Sequence, residues 1–132
     1  MPRIAGFSHL SFTVTDLERS TAWYREVLGF DLDSEVKADT FRRHRMRHPD
    51  ARITVTLTQH DAGSGDPFDE RRTGMDHVSF AVPTMEDILE FKERFEQRGV
   101  VHSDIRATVS GAGGAITFRD PDNIQLEVFA AG

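Results

Sequence analysis

The chain contains no cysteine, which excludes disulfides, thiolate metal sites and a cysteine nucleophile. It also lacks any apolar run near the roughly 20 residues that a bilayer crossing needs. Its first residues, MPRIAGFSH, lack the apolar segment of a secretory signal, so a cytoplasmic location is the expectation. Positive charge is scarce: 16 Lys and Arg stand against 22 Asp and Glu, a net charge of −6. That balance argues against a nucleic-acid partner, whose phosphates demand a cationic excess. What is present, 38% hydrophobic and 29% charged residues in a chain of 132, suits an ordinary globular protein. Its length allows one core, or two small modules sharing one.

An internal repeat organises the chain. FSHLSFTV at 7–14 is echoed by MDHVSFAV at 75–82, so that His9, Ser11, Phe12 and Val14 match His77, Ser79, Phe80 and Val82. MRHPDARITVTL at 46–57 is likewise echoed by FRDPDNIQLEV at 118–128, with Arg47 falling on Arg119 and Ile53 on Ile124. The similar offsets mean that the halves agree in length and order. Each reads as strand, helix and three further strands. The expected strands span 7–14, 30–37, 40–47 and 52–60, then 75–82, 100–107, 114–119 and 123–129. Asp16 caps the first helix, Leu17, Tyr24, Val27 and Leu28 form its apolar stripe, and Gly29 stops it. Thr84 with Asp87 reads as a capping box for the second, with Ile88, Phe91 and Phe95 as the stripe and Gly99 as the stop. The predicted fold is α+β: two βαβββ modules, about 4–60 and 75–130, joined by the aperiodic connector DAGSGDPFDERRTG at 61–74.

Strand alternation sorts the side chains by face. Leu10, Phe12 and Val14, with Val78, Phe80 and Val82, should bury against the helices, as should Ile53, Val55 and Leu57 with Ile124, Leu126 and Val128. The opposite faces then carry His9, Ser11, Thr54, Thr56 and Thr58 in one module and His77, Ser79, Gln125 and Glu127 in the other. Four repeat-related positions stand out: His9 and His77 on opening strands, Thr56 and Glu127 on closing strands. Two imidazoles and one carboxylate make a facial triad that leaves positions open on a divalent ion, Fe(II) being the commonest occupant. A lone strand histidine is ordinarily a half-exposed polar residue; the repeat lifts this set above that background.

The stretches SHLSFTVTDLERSTAWYREVLGFDL at 8–32, MDHVSFAV at 75–82 and TFRDPDNIQLEVF at 117–129 resemble the vicinal oxygen chelate superfamily, which includes glyoxalase I, methylmalonyl-CoA epimerase, the fosfomycin and bleomycin resistance proteins and the extradiol dioxygenases. The resemblance covers essentially the whole chain. It implies paired βαβββ modules curled into a cup-shaped mixed sheet with helices outside, and His9, His77 and Glu127 as ligands to one divalent metal ion, Fe(II) or Mn(II) ahead of Zn(II) or Ni(II). Glyoxalase I-like members carry a glutamate where Thr56 stands, and the epimerases a glutamine. Threonine is a poor ligand and no base near neutral pH, which disfavours both chemistries here.

Further residues complete the expected site. Ser11 should position the substrate, mirrored by Ser79. His60 lies four residues beyond Thr56, about 13 Å at strand rise, so it belongs at the rim, as an exposed strand-end histidine or as a substrate contact or acid/base group. On FRRHRMRH at 41–48, alternation sends His44 and Met46 to the helix side and Arg43, Arg45 and Arg47 to the polar face. There Arg43 and Arg45, with Thr56, Thr58, Ser79 and Thr117, would line the substrate space and favour an anion; the alternative is a solvated edge strand, or Arg47 paired with Asp50 at its hairpin. The expected protein is a metal-dependent enzyme of dioxygenase, lyase or transferase type acting on a small oxygen-bearing molecule. The alternative is a bleomycin- or fosfomycin-type resistance protein that binds or modifies a drug. A homodimer is expected, since open sheet edges need covering.

Overall fold

Asp16 ends an extended segment and begins a helix because its carboxylate accepts the backbone N–H of Arg19 at 3.0 Å, satisfying a donor that the first helical turn leaves unpaired. Gly29 closes that helix in the left-handed conformation at φ 79°. These caps bound α1 (Leu17–Leu28) in a computed structural model that describes all 132 residues. The chain divides into two units, residues 1–65 and 66–132. In the first, β1 (Leu10–Thr13), α1, β2 (Asp31–Lys37), β3 (Phe41–Arg47) and β4 (Thr54–His60) follow one another. The sheet order is β1-β4-β3-β2, with β1 parallel to β4 and the other pairs antiparallel. Leu17, Tyr24, Val27 and Leu28 of α1 are buried, as are Phe12, Met46, Val55 and Leu57 of the sheet. Each such side chain contributes about 1.5–3 kcal/mol of burial.

The second unit repeats the pattern with β5 (Val78–Ala81), α2 (Met85–Gln97), β6 (Arg106–Ala107), β7 (Gly114–Arg119) and β8 (Gln125–Ala130) in the order β5-β8-β7-β6. Thr84 and Asp87 form the reciprocal capping box at the start of α2. Phe95 of α2 stacks on Phe118 of β7 at 4.4 Å over a floor of Ile88, Ile116, Leu126 and Val128, all buried. Between β7 and β8 the Asp120 carboxylate accepts the N–H groups of Asp122 and Ile124, each at 2.9 Å, and Asn123 takes φ 64°. The chain is thus two βαβββ modules, each a mixed four-stranded sheet with one helix. No helix is long and apolar enough to cross a membrane.

Three details depart from expectation. The opening strands begin later, so His9 and His77 each stand one residue before β1 and β5, without ladder partners. The strand expected over 100–107 contracts to Arg106–Ala107, with a lone bridge between His102 and Phe118. There the Ser103 hydroxyl donates to Asp104 O and takes the Thr117 N–H at 3.1 Å, displacing the main-chain partner that a regular ladder would supply. Ile53, expected in the core, is 38% exposed because β4 starts after it.

Candidate metal-binding faces

In the first module the parallel register sets Ser11 beside Thr56 and Thr13 beside Thr58, while the antiparallel partner brings Arg45 to Thr56 and Arg43 to Thr58. Arg43 Nε donates to Thr58 Oγ1 at 2.8 Å, and its guanidinium lies 4.6 Å from the centre of the Phe41 ring. Ser11 Oγ is 3.4 Å from the same Thr58 hydroxyl. Thr56 and Thr58 are buried although they share the polar face; short side chains on the central strand are overtopped by their neighbours. Arg45 is exposed and 3.8 Å from Asp33. His60 is exposed at the end of β4, its ring 5.9 Å from that of Phe41.

In the second module the equivalent lattice point to Thr56 is Glu127, which lies beside Ser79 on β5 and Thr117 on β7. Ser79 Oγ donates to Glu127 Oε1 at 2.8 Å. Arg106 Nη2 donates to Glu127 Oε2 at 2.9 Å and to Thr117 Oγ1 at 2.8 Å. The carboxylate is thereby held in one orientation, its side chain only 14% exposed.

Each repeated histidine meets the residue before it through Nδ1. His9 Nδ1 is 2.9 Å from Ser8 Oγ, and His77 Nδ1 is 2.6 Å from Asp76 Oδ1. In each the preceding residue engages Nδ1, and Nε2 is left without a hydrogen bond. His44, His48 and His102 serve the fold. His44, buried, meets Thr21 Oγ1 at 2.7 Å, His48 Nε2 meets Leu28 O at 2.9 Å, and His102 Nδ1 meets Ser103 O at 2.7 Å.

The three expected ligands are divided between the modules: His9 in the first, His77 and Glu127 in the second. Within neither module do three His, Asp or Glu side chains gather as a metal-binding group. The donor chemistry nevertheless fits a divalent ion. Two imidazoles present uncommitted Nε2 atoms, and one carboxylate is oriented by neutral and cationic donors rather than used up by a second acid.

Two residues with site contacts escaped the sequence reading. Arg106 reaches Glu127 diagonally across β7 from a two-residue strand, a contact that no periodicity announces. Asp76 was legible in principle: Ser8 and Asp76, both able to hold an imidazole, precede the repeated histidines.

Comparison with known proteins supports the same architecture. The sequence matches the family described as Glyoxalase/Bleomycin resistance protein/Dioxygenase superfamily over residues 6–128. It is 27% identical to the fosfomycin resistance protein FosX of Listeria monocytogenes over 128 residues, covering 96% of this chain and 90% of FosX. A crystal structure of a FosX variant complexed with Mn(II) and 1S,2S-dihydroxypropylphosphonic acid superposes with a TM-score of 0.73 at 25% identity, over 96% of this chain and 90% of that one. A glyoxylase/bleomycin resistance protein/dioxygenase domain from Frankia sp. EAN1pec superposes with a TM-score of 0.89 at 35% identity, over 97% and 98% of the two chains. The match to the putative ring-cleaving dioxygenase MhqA of Bacillus subtilis, 27% identical, covers 78% of this chain but 34% of that protein.

Proposed function

From the premise that this chain belongs to the Glyoxalase/Bleomycin resistance protein/Dioxygenase superfamily, we propose that it is a divalent-metal enzyme whose ion is held by His9, His77 and Glu127. The observation that carries this reading is the matched restraint of the two histidines, each tied through Nδ1 to the residue before it with Nε2 uncommitted. Mn(II) or Fe(II) is the proposed ion; the Mn(II) in FosX structures supports the first. Bound there, a divalent ion supplies Lewis acidity to oxygens of a chelating substrate. Ser79 and Arg106 hold the Glu127 carboxylate, and Ser11 lies on the face that His9 leads into. A homodimer is proposed with it, as open sheet edges need covering.

The proposed substrate is a small anion with adjacent oxygens, a phosphonate ahead of a catechol. The likeness to FosX runs nearly end to end in both chains, whereas MhqA is matched over a third of its length. Arg43, Arg45 and Arg106 supply cationic side chains on the polar faces. Thr56, buried and without a carboxylate, leaves the glyoxalase I and epimerase reactions without their base.

Metal content of protein purified without chelator, set beside a His77→Ala variant, tests the first part. Bound metal in the parent and its loss in the variant are expected; equal or absent metal in both would refute the site. Mn(II)-dependent consumption of fosfomycin, measured beside oxygen uptake with catechols, tests the second. Oxygen uptake without fosfomycin consumption would reverse the preference for a phosphonate.

A further inference from the structure

The hydrogen bonds around His77 extend well beyond Asp76. Gln125 Nε2 donates to Asp76 Oδ1 at 3.2 Å and to the Asp76 carbonyl at 3.0 Å. Gln125 Oε1 in turn accepts from Arg119 Nη2 at 3.2 Å. Arg119 is clamped by Glu70, Nη1 and Nη2 donating to the two carboxylate oxygens at 2.9 and 2.8 Å, and Nη1 also donates to Asn123 O at 3.2 Å. The series therefore runs from the connector through β7 and β8 to the residue beside His77, all within the unit of residues 66–132.

Its polarity is fixed at every link. A guanidinium has donors only, so Arg119 compels Gln125 to turn its carbonyl oxygen toward β7 and its NH2 toward Asp76. An Asp76 carboxylate that already receives that NH2 is an acceptor, and the proton shared with His77 must come from Nδ1. The imidazole is thus held as the Nδ1–H form with the Nε2 lone pair outward, the form that binds a metal ion. The first module has no such series. Ser8, whose hydroxyl can donate or accept, replaces Asp76, and the positions matching Gln125 and Arg119 are Thr54 and Arg47.

We infer that Asp76, backed by Gln125, Arg119 and Glu70, is a positioning residue that presets the tautomer and ring angle of His77 for the metal, making His77 the prepared ligand of the pair. This rests on the metal-site reading above, and the experiment separates the two. Mn(II) is titrated into the full-length chain and free Mn(II) is followed by electron paramagnetic resonance, for the parent and for Asp76→Asn, Gln125→Leu and His77→Ala. Asp76→Asn, whose amide can turn its NH2 toward Nδ1, is expected to weaken Mn(II) binding about 10–100-fold. Gln125→Leu, which leaves Asp76 in place but unsupported, should weaken it several-fold. Parent-like affinity in Asp76→Asn, with binding abolished in His77→Ala, overturns the positioning role alone; a parent that binds no Mn(II) overturns the metal site and this inference with it. A readout independent of metal is the nitrogen NMR spectrum of His77 in the apo protein at a pH where the ring is neutral. The Nδ1–H form is expected to dominate in the parent and to be lost in Asp76→Asn, and a dominant Nε2–H form in the parent would refute the inference.

Discussion

Thr21 of α1 and His44 of β3 form a polar pair inside an otherwise apolar interface: each is 6% exposed, and Thr21 Oγ1 lies 2.7 Å from His44 Nδ1. Thr21→Val preserves shape but leaves His44 Nδ1 buried without a partner, a cost of about 1–3 kcal/mol. His44→Leu does the reverse, stranding the threonine hydroxyl at a similar cost. Replacing both removes the polar groups together, and the double variant should lie within about 1 kcal/mol of the parent. Both His44 variants also lose the Nε2 that lies 3.7 Å from Glu35, a loss common to the single and the double variant that cancels in the coupling energy. Two single losses of about 1–3 kcal/mol each, against about 1 kcal/mol or less for the double variant, put the coupling energy at about 1–6 kcal/mol. Urea unfolding of the four proteins at pH 7 reads it from the midpoints, provided the slopes agree. Single-variant losses that simply add in the double variant would show that the pair is not the unit the geometry makes it.

Three further outcomes are expected. Arg119 hydrogen bonding holds the Glu70 carboxyl down to about 2 from an ordinary 4.5. The pair's stabilisation is therefore fully present above about pH 4.5 and lost as pH falls toward 2; urea midpoints of the parent and Glu70→Gln should converge across that window, and parallel curves would contradict this. Gly113→Ala would put a Cβ within 2.6 Å of the Ala131 carbonyl carbon and nearer still to Ala130 O, so thermal unfolding should show a loss of about 3 kcal/mol, the upper range of overpacking costs. Asp16→Ala should cost about 0.5–2 kcal/mol by removing the cap of α1, and Asp16→Asn, which keeps an acceptor, should restore most of it on the same assay.

The elements that were readable in the sequence are those whose cause is local. Asp16, Gly29 and the Thr84–Asp87 box mark helix ends through contacts three or four residues apart. Phe12, Val55, Leu57, Leu126 and Val128 announce their burial by period-two alternation. The repeat carried the reading further, since it aligned Thr56 with Glu127 and the ladders keep that alignment: Ser11 pairs with Thr56 as Ser79 pairs with Glu127. What was not readable depends on partners distant in sequence. Ser103 interrupts its strand by bonding Thr117 N, 14 residues away, and Arg106 finds Glu127 across 21 residues. The series from Glu70 to Asp76 joins residues separated by 49 positions at two of its links, Glu70 to Arg119 and Gln125 to Asp76.

The unequal occupants of one shared register have an evolutionary consequence. Thr56 and Glu127 hold the same place beside a serine in two copies of one sheet, and the apolar face behind each is built from other residues, so the alternation that builds each strand is the same with either residue. A duplicated gene is then free to place a carboxylate in either copy by a change at a single site. Lineages descended from such a duplication can diverge in chemistry faster than in shape, and kinship in architecture alone is a poor guide to the reaction each descendant catalyses.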